Sequence, residues 1–196
     1  MKLLRTAAMT TAALGLTLTS LSWATAAPAP KFLAAAELPP ALTPWTAGPV
    51  APGLPADFCT GATAPRASSK HRLYSTELDA NARQTVTVAA SEAKAKVLVI
   101  RLRAAVESCF DRMKQENPNV DGEALYHGKL PVEEGAHVYS IDSFDPVGGS
   151  NDVALYSVGR DGRTVTVVAW GQLGDLEDAA LNGFQQTART SVTKLY

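Results

Sequence analysis

Two apolar runs, Val153–Val158 and Arg163–Trp170, flank Asp161-Gly162 and constrain the fold of this chain more than any other feature. Asp-Gly between alternating runs signals a tight hairpin turn, because glycine enters the left-handed backbone such a turn needs without a steric penalty. In the simplest register Ala154, Tyr156 and Val158 share a face with Val165, Val167 and Ala169, the expected core side. Val153 and Leu155 then share the other face with Val168 and Trp170. The same register sets Arg160 opposite Arg163, a mildly unfavourable pair that a longer loop would relieve.

Other strands follow from the same period. Leu73–Leu78 and Gln84–Ala89 are joined by the turn residues Asp79-Ala80-Asn81, and in the second Val86 and Val88 alternate with Thr85 and Thr87. Glu123–Leu130 and His137–Phe144 are separated by Pro131 and Gly135, and 145–151 reads as a loop. Between the strand pairs lies the longest helix, capped by Ser91 and stopped by Pro118. Ala95, Leu98, Val99, Leu102, Val106, Cys109, Phe110 and Met113 recur on one side of it, with Lys94, Arg101, Arg103 and Glu107 mostly elsewhere. A last helix starts at Leu176 with Asp175 as its cap, and Gly183 in its packing stripe suits close approach to a neighbour. The order is β-β-α-β-β-β-β-α. It predicts an α+β fold, an antiparallel sheet of about six strands with two helices packed on one face.

The beginning of the chain has a different character. Lys2 and Arg5 precede an uncharged apolar run, Ala7–Leu21, and Ala24-Thr25-Ala26 has the small-x-small form of a signal-peptidase site. Residues 1–26 are therefore expected to be a cleaved signal peptide, leaving a secreted, extracellular protein with no membrane insertion. Residues 27–56 are rich in Pro and Ala and favour extended conformations, with 27–40 a flexible lead. Residues 57–196 form a single domain by length. Only Cys59 and Cys109 are present, and beyond an export signal one intramolecular disulfide is the simplest pairing.

Composition excludes some partners. Without Lys2 and Arg5 the chain holds 16 basic and 19 acidic residues, a formal charge of −3. Lacking a basic patch, it is a poor binder of nucleic acid or anionic membrane. No motif calls for a cofactor or metal: His71, His127 and His137 lack helical metal-pair spacing, and Asp142, Asp145 and Asp152 lack the EF-hand order. Gly148-Gly149-Ser150 precedes no helix, so it lacks the geometry of a phosphate cradle. Ser140, Asp142 and Ser143 near His137 contain the residue types of a hydrolase, a combination common by chance. Tyr126, Tyr139 and Trp170 lie on strands and are the candidates for lining a ligand groove.

Three stretches carry a family resemblance: 84–89 leading into an Ala-rich helix that ends Glu107-Ser108-Cys109; 152–159 running through Arg160-Asp161-Gly162 into 164–168; and the terminal helix. Over roughly 70–196 this order of elements resembles the extracellular sensor-like domains of mycobacterial PknH-type receptor kinases and their free-standing secreted or lipoprotein relatives in actinobacteria. The resemblance implies an antiparallel sheet carrying two helices, disulfide ties and a cleft for an unknown ligand. This chain departs from it in having no kinase and one Cys pair where the kinase-linked domain has two. The resulting expectation is a non-enzymatic, monomeric sensor-like domain that binds a small molecule in a sheet–helix cleft. An envelope protein-interaction or structural domain is the alternative, and a secreted hydrolase the third reading.

Overall fold

The computed structural model describes residues 28–196. It contains β1 (Thr46–Ala47), β2 (Ala51–Pro52), β3 (Ser69–Ser75), β4 (Asn81–Val88), α1 (Glu92–Glu107), α2 (Cys109–Glu116), β5 (Asp121–Leu130), β6 (Ala136–Asp145), β7 (Ser150–Asp161), β8 (Thr164–Leu173) and α3 (Leu181–Thr193). The strands form one antiparallel sheet in the order β1-β3-β4-β8-β7-β6-β5, with β2 also paired to β3. From β4 the chain crosses through α1 and α2 to the far edge, then returns as a meander that ends with β8 against β4.

The mixed, antiparallel character is as expected, but the layering is not. Eight strands replace about six, three helices replace two, and the helices lie on both faces. On one face α1 packs Ala95, Leu98, Leu102 and Val106 against Tyr139, Ile141, Tyr156, Val158, Val165 and Val167. On the other, Phe184, Ala188 and Val192 of α3 pack against Val138, Val153, Leu155, Val168 and Trp170. The reason is in the hairpin itself, since both of its faces are apolar. A one-sided sheet would leave Val153, Leu155, Val168 and Trp170 in water, at roughly 1.5–3 kcal/mol for each large side chain.

Register differs in one detail. Asp161 pairs with Thr164 and Tyr156 with Ala169, so the loop is Gly162-Arg163 rather than Asp161-Gly162. Each strand has slid by one residue, which preserves both faces. Gly162 takes φ +53°, the first-position glycine of a II′-like hairpin. Arg160 now faces Val165 instead of Arg163, and its guanidinium pairs with Glu134 at 3.1 Å. The Glu134 carboxylate also accepts the Gly162 N–H, which fixes the slide.

The long helix divides at Ser108, whose hydroxyl donates to the Ala104 carbonyl at 2.8 Å, a contact that bends helices. Beyond the bend, fully buried Cys109 bonds to Cys59 with the Cα atoms 5.0 Å apart. Arg112 secures the same junction by donating to the Cys59 carbonyl at 2.7 Å. The last helix begins later than expected: Leu176–Asp178 is a single 3-10 turn and α3 starts at Leu181. Asp175 makes no side-chain cap and instead accepts from Asn151 Nδ2 at 2.8 Å. Gly183 does serve close approach, because a Cβ there would stand 2.9 Å from Pro40.

The Pro/Ala-rich segment is built into the fold rather than leading loosely to it. Leu33 and Leu38 are buried with α3, and the Leu33 N–H donates to Gln84 Oε1 at 2.8 Å. Lys31 N–H donates to the Lys194 carbonyl, Lys194 pairs with Glu37, and Trp45 Nε1 donates to the Pro39 carbonyl. The expected signal peptide, 1–26, lies outside the described residues. No helix among the described residues is long and apolar enough to cross a membrane.

Candidate functional site

The three aromatic residues singled out from the sequence do not share a cleft. Trp170 is 2% exposed on the α3 face, packed in the core with its indole N–H unpartnered. Tyr139 faces α1 on the opposite side of the sheet, so no single groove can hold both. Tyr126 sits directly across from Tyr139, with ring centroids 5.0 Å apart, and is half exposed.

Those two tyrosines belong to a polar cluster at the meeting of β5, β6 and α1. Arg103 Nε donates to the Tyr139 hydroxyl oxygen at 2.7 Å, and that hydroxyl donates to Glu107 Oε1 at 2.9 Å. Arg103 also lies over the Tyr126 ring, whose hydroxyl is 2.8 Å from His137 Nδ1. Burial pushes the Tyr139 phenol up to about 12, Arg103 opposing and Glu107 assisting the shift. The hydrogen bond to Tyr139 in turn raises the Arg103 guanidinium. Burial, aided by the Arg103 and Lys129 charges, lowers His137 and favours a neutral ring. The Arg103–Tyr139–Glu107 hydrogen bonds join side chains of α1 to β6, so the cluster pins α1 to the sheet.

The hydrolase constellation is not assembled around His137, which occupies the sheet face opposite Ser140 and Asp142. Ser143 shares its face but lies six residues along the strand, about 20 Å away, and donates to the Asp152 carbonyl. A different serine–histidine contact does form, between Ser140 Oγ and His127 Nε2 at 2.8 Å, where a bulge in β5 turns His127 toward β6. Ser140 is only 1% exposed, and Asp142 accepts from the Leu176 N–H instead of orienting His127. Burial lowers the His127 ring as well. Among the described residues no group of three or more His, Cys, Asp or Glu side chains is placed to hold a metal.

An apolar concavity lies elsewhere, where β4 turns into α1. It is an open groove of about 800 Å³. One wall is Ala62-Thr63-Ala64-Pro65, the strap that follows Cys59; the other is the first half of α1, through Ala93, Val97 and Leu98. Ala64, Ala89 and Leu98 are buried and form the floor. Lys94 and Arg101 stand on the helix side, and no carboxylate lines the groove. The disulfide holds the strap in place from its far end, so the wall is anchored covalently to the start of α2. A smaller cleft of about 350 Å³ opens on the other side of the disulfide, among Phe58, Met113, Val120, Ile141 and Tyr156.

Periodicity hides this groove, because Lys94 and Arg101 fall outside the helix's packing stripe and read as an ordinary solvated face. Two signals do point to it. Val97 is apolar yet off the stripe, and it is exposed. Small residues also recur at 62–65 and at Ala89, Ala90 and Ala93, where the absence of bulk leaves the space open. Compared with protein-family models, with curated proteins and with solved structures, the chain matches none.

Proposed function

We propose that this chain is a secreted, non-enzymatic domain that captures a small molecule in the groove between α1 and the 62–65 strap. The observation that carries the reading is the groove itself: its volume falls in the range of small-molecule sites, roughly 300–1,000 Å³, and its surface is mainly apolar. A floor belonging to the core and a wall tied by a disulfide give the site a preformed shape, which limits the ordering cost of binding. The resemblance of 70–196 to kinase-linked sensor domains, which implies a ligand cleft, favours the same reading. Native mass spectrometry of protein taken from the producing organism's culture supernatant tests it. A small molecule should be carried by the wild-type chain and lost from Ala93→Trp, whose indole would fill the groove. Bare wild-type protein, or a ligand retained in full by Ala93→Trp, counts against the groove.

A protein-interaction role is the second reading, favoured by β5. Among the described residues this ten-residue edge strand pairs only with β6, and it exposes Leu125 and Tyr126. An open edge of that kind is a template for strand addition. The same spectra would then show a bound polypeptide.

A further inference from the structure

From the charge and shape of the groove we infer the class of its ligand: a single-chain amphiphile with an anionic head group. The inference rests on the groove being the binding site. An apolar floor of Ala64, Ala89 and Leu98 suits a hydrocarbon chain, and Ala62, Ala93 and Val97 extend that surface up both walls. Such burial is worth about 0.8 kcal/mol per methylene removed from water, and it carries no preference for charge. The preference comes from Lys94 and Arg101. They are seven residues apart on α1, two turns or about 10 Å along the axis, so both project over the same side with Val97 between them.

Neither side chain has a carboxylate partner: the ion pairs among the described residues use Arg83, Arg103, Lys114, Arg160 and Lys194. Two unpaired cations thus border an apolar groove that no acidic side chain lines, in a protein whose overall charge is negative. Both side chains are long and flexible, with apolar stems that can lie along a chain while their heads close on one anion. A neutral lipid would leave those charges unused, and a cationic one would be repelled. A carboxylate, sulfate or phosphate head satisfies both requirements.

The test uses dodecyl phosphate, dodecyl maltoside and dodecyltrimethylammonium, each below its micelle concentration, titrated into the folded, oxidised protein and followed by amide chemical shifts. Dodecyl phosphate should move the signals of 62–65 and 89–98 and bind about tenfold or more tightly than dodecyltrimethylammonium. In the double variant Lys94→Gln/Arg101→Gln, two exposed positions, that preference should vanish, with the phosphate and ammonium probes binding alike. Ala93→Trp should weaken all three probes. Equal binding of the phosphate and ammonium probes to the wild-type chain would overturn the anionic head and leave a general apolar site standing. Failure of every dodecyl probe, beside a different small molecule held in the groove of the native protein, would overturn the amphiphile and leave the binding function intact.

Discussion

Buried phenols make the residue scale measurable. Tyr74 is raised beyond the ordinary alkaline range, and Tyr139 and Tyr156 are raised to about 12, burial being the largest cause in each. A phenol whose folded pKa lies above its unfolded value, about 10, keeps a proton that the unfolded chain releases. Its share of stability is therefore complete below about pH 10 and is lost as pH rises toward about 12. In an alkaline titration at most two of the five tyrosines should give phenolate absorbance while circular dichroism remains native at about pH 11. Five phenolates in a still-native protein would contradict the burial argument. The cysteine pair was legible in the sequence because two cysteines leave one intramolecular pairing. The Tyr139 network was not. Arg103 and Glu107 read as outward-facing, and nothing local specifies the rotation at which a helix docks on its sheet. The burial of Trp170 beneath α3 was hidden for a related reason: a strand shows which residues share a face, not what covers that face.

Among the elements, the hairpin was read most reliably, since a period of two survives a slide of one residue in each strand. What the sequence could not supply was Glu134, a side chain from the preceding loop that selects the slide. The boundary of α3 was missed because a run of acidic residues after Asp175 favours any helical turn, including a 3-10 turn that stops. Packing of α3 itself turns on Gly159 of β7. A Cβ there would lie 2.4 Å from a Val192 methyl carbon and 3.3 Å from the Ala136 Cβ. Gly159→Ala should destabilise the protein by about 1–3 kcal/mol through overpacking. Val192→Ala alone opens a cavity and also destabilises. Combined, the two should cost less than their sum, because the methyl group that clashes is the one removed. Urea unfolding of the four proteins measures the coupling. If Gly159→Ala costs the same in both backgrounds, the close approach of helix and strand is not what the glycine serves.

At the scale of the molecule, a sheet apolar on both faces requires cover on both, and helix among the described residues is too little to provide it. Among the described α-helices only α3 lies on the second face, and the segment through Leu33 and Leu38 completes the layer. Composition argued for a loose lead because prolines prevent helices there; it could not register that an extended chain covers a sheet as well as a helix does. Leu33 is fully buried in that layer, and its carbonyl accepts from Tyr74 Oη at 2.9 Å and Arg72 Nη1 at 3.1 Å. Its N–H satisfies Gln84, a buried amide in β4 that also donates to Thr166 Oγ1. Leu33→Ala should therefore lower stability by about 2–4 kcal/mol, the usual range for a large buried aliphatic side chain. Deleting 28–40 should do more, because it removes Leu38 as well and leaves the Gln84 carbonyl oxygen without its main donor, a loss of about 1–3 kcal/mol in its own right. Equilibrium unfolding of the two variants against the parent chain compares them directly. A deletion as stable as the parent would mean that the segment only rests on the sheet, and that α3 alone suffices to close the second face.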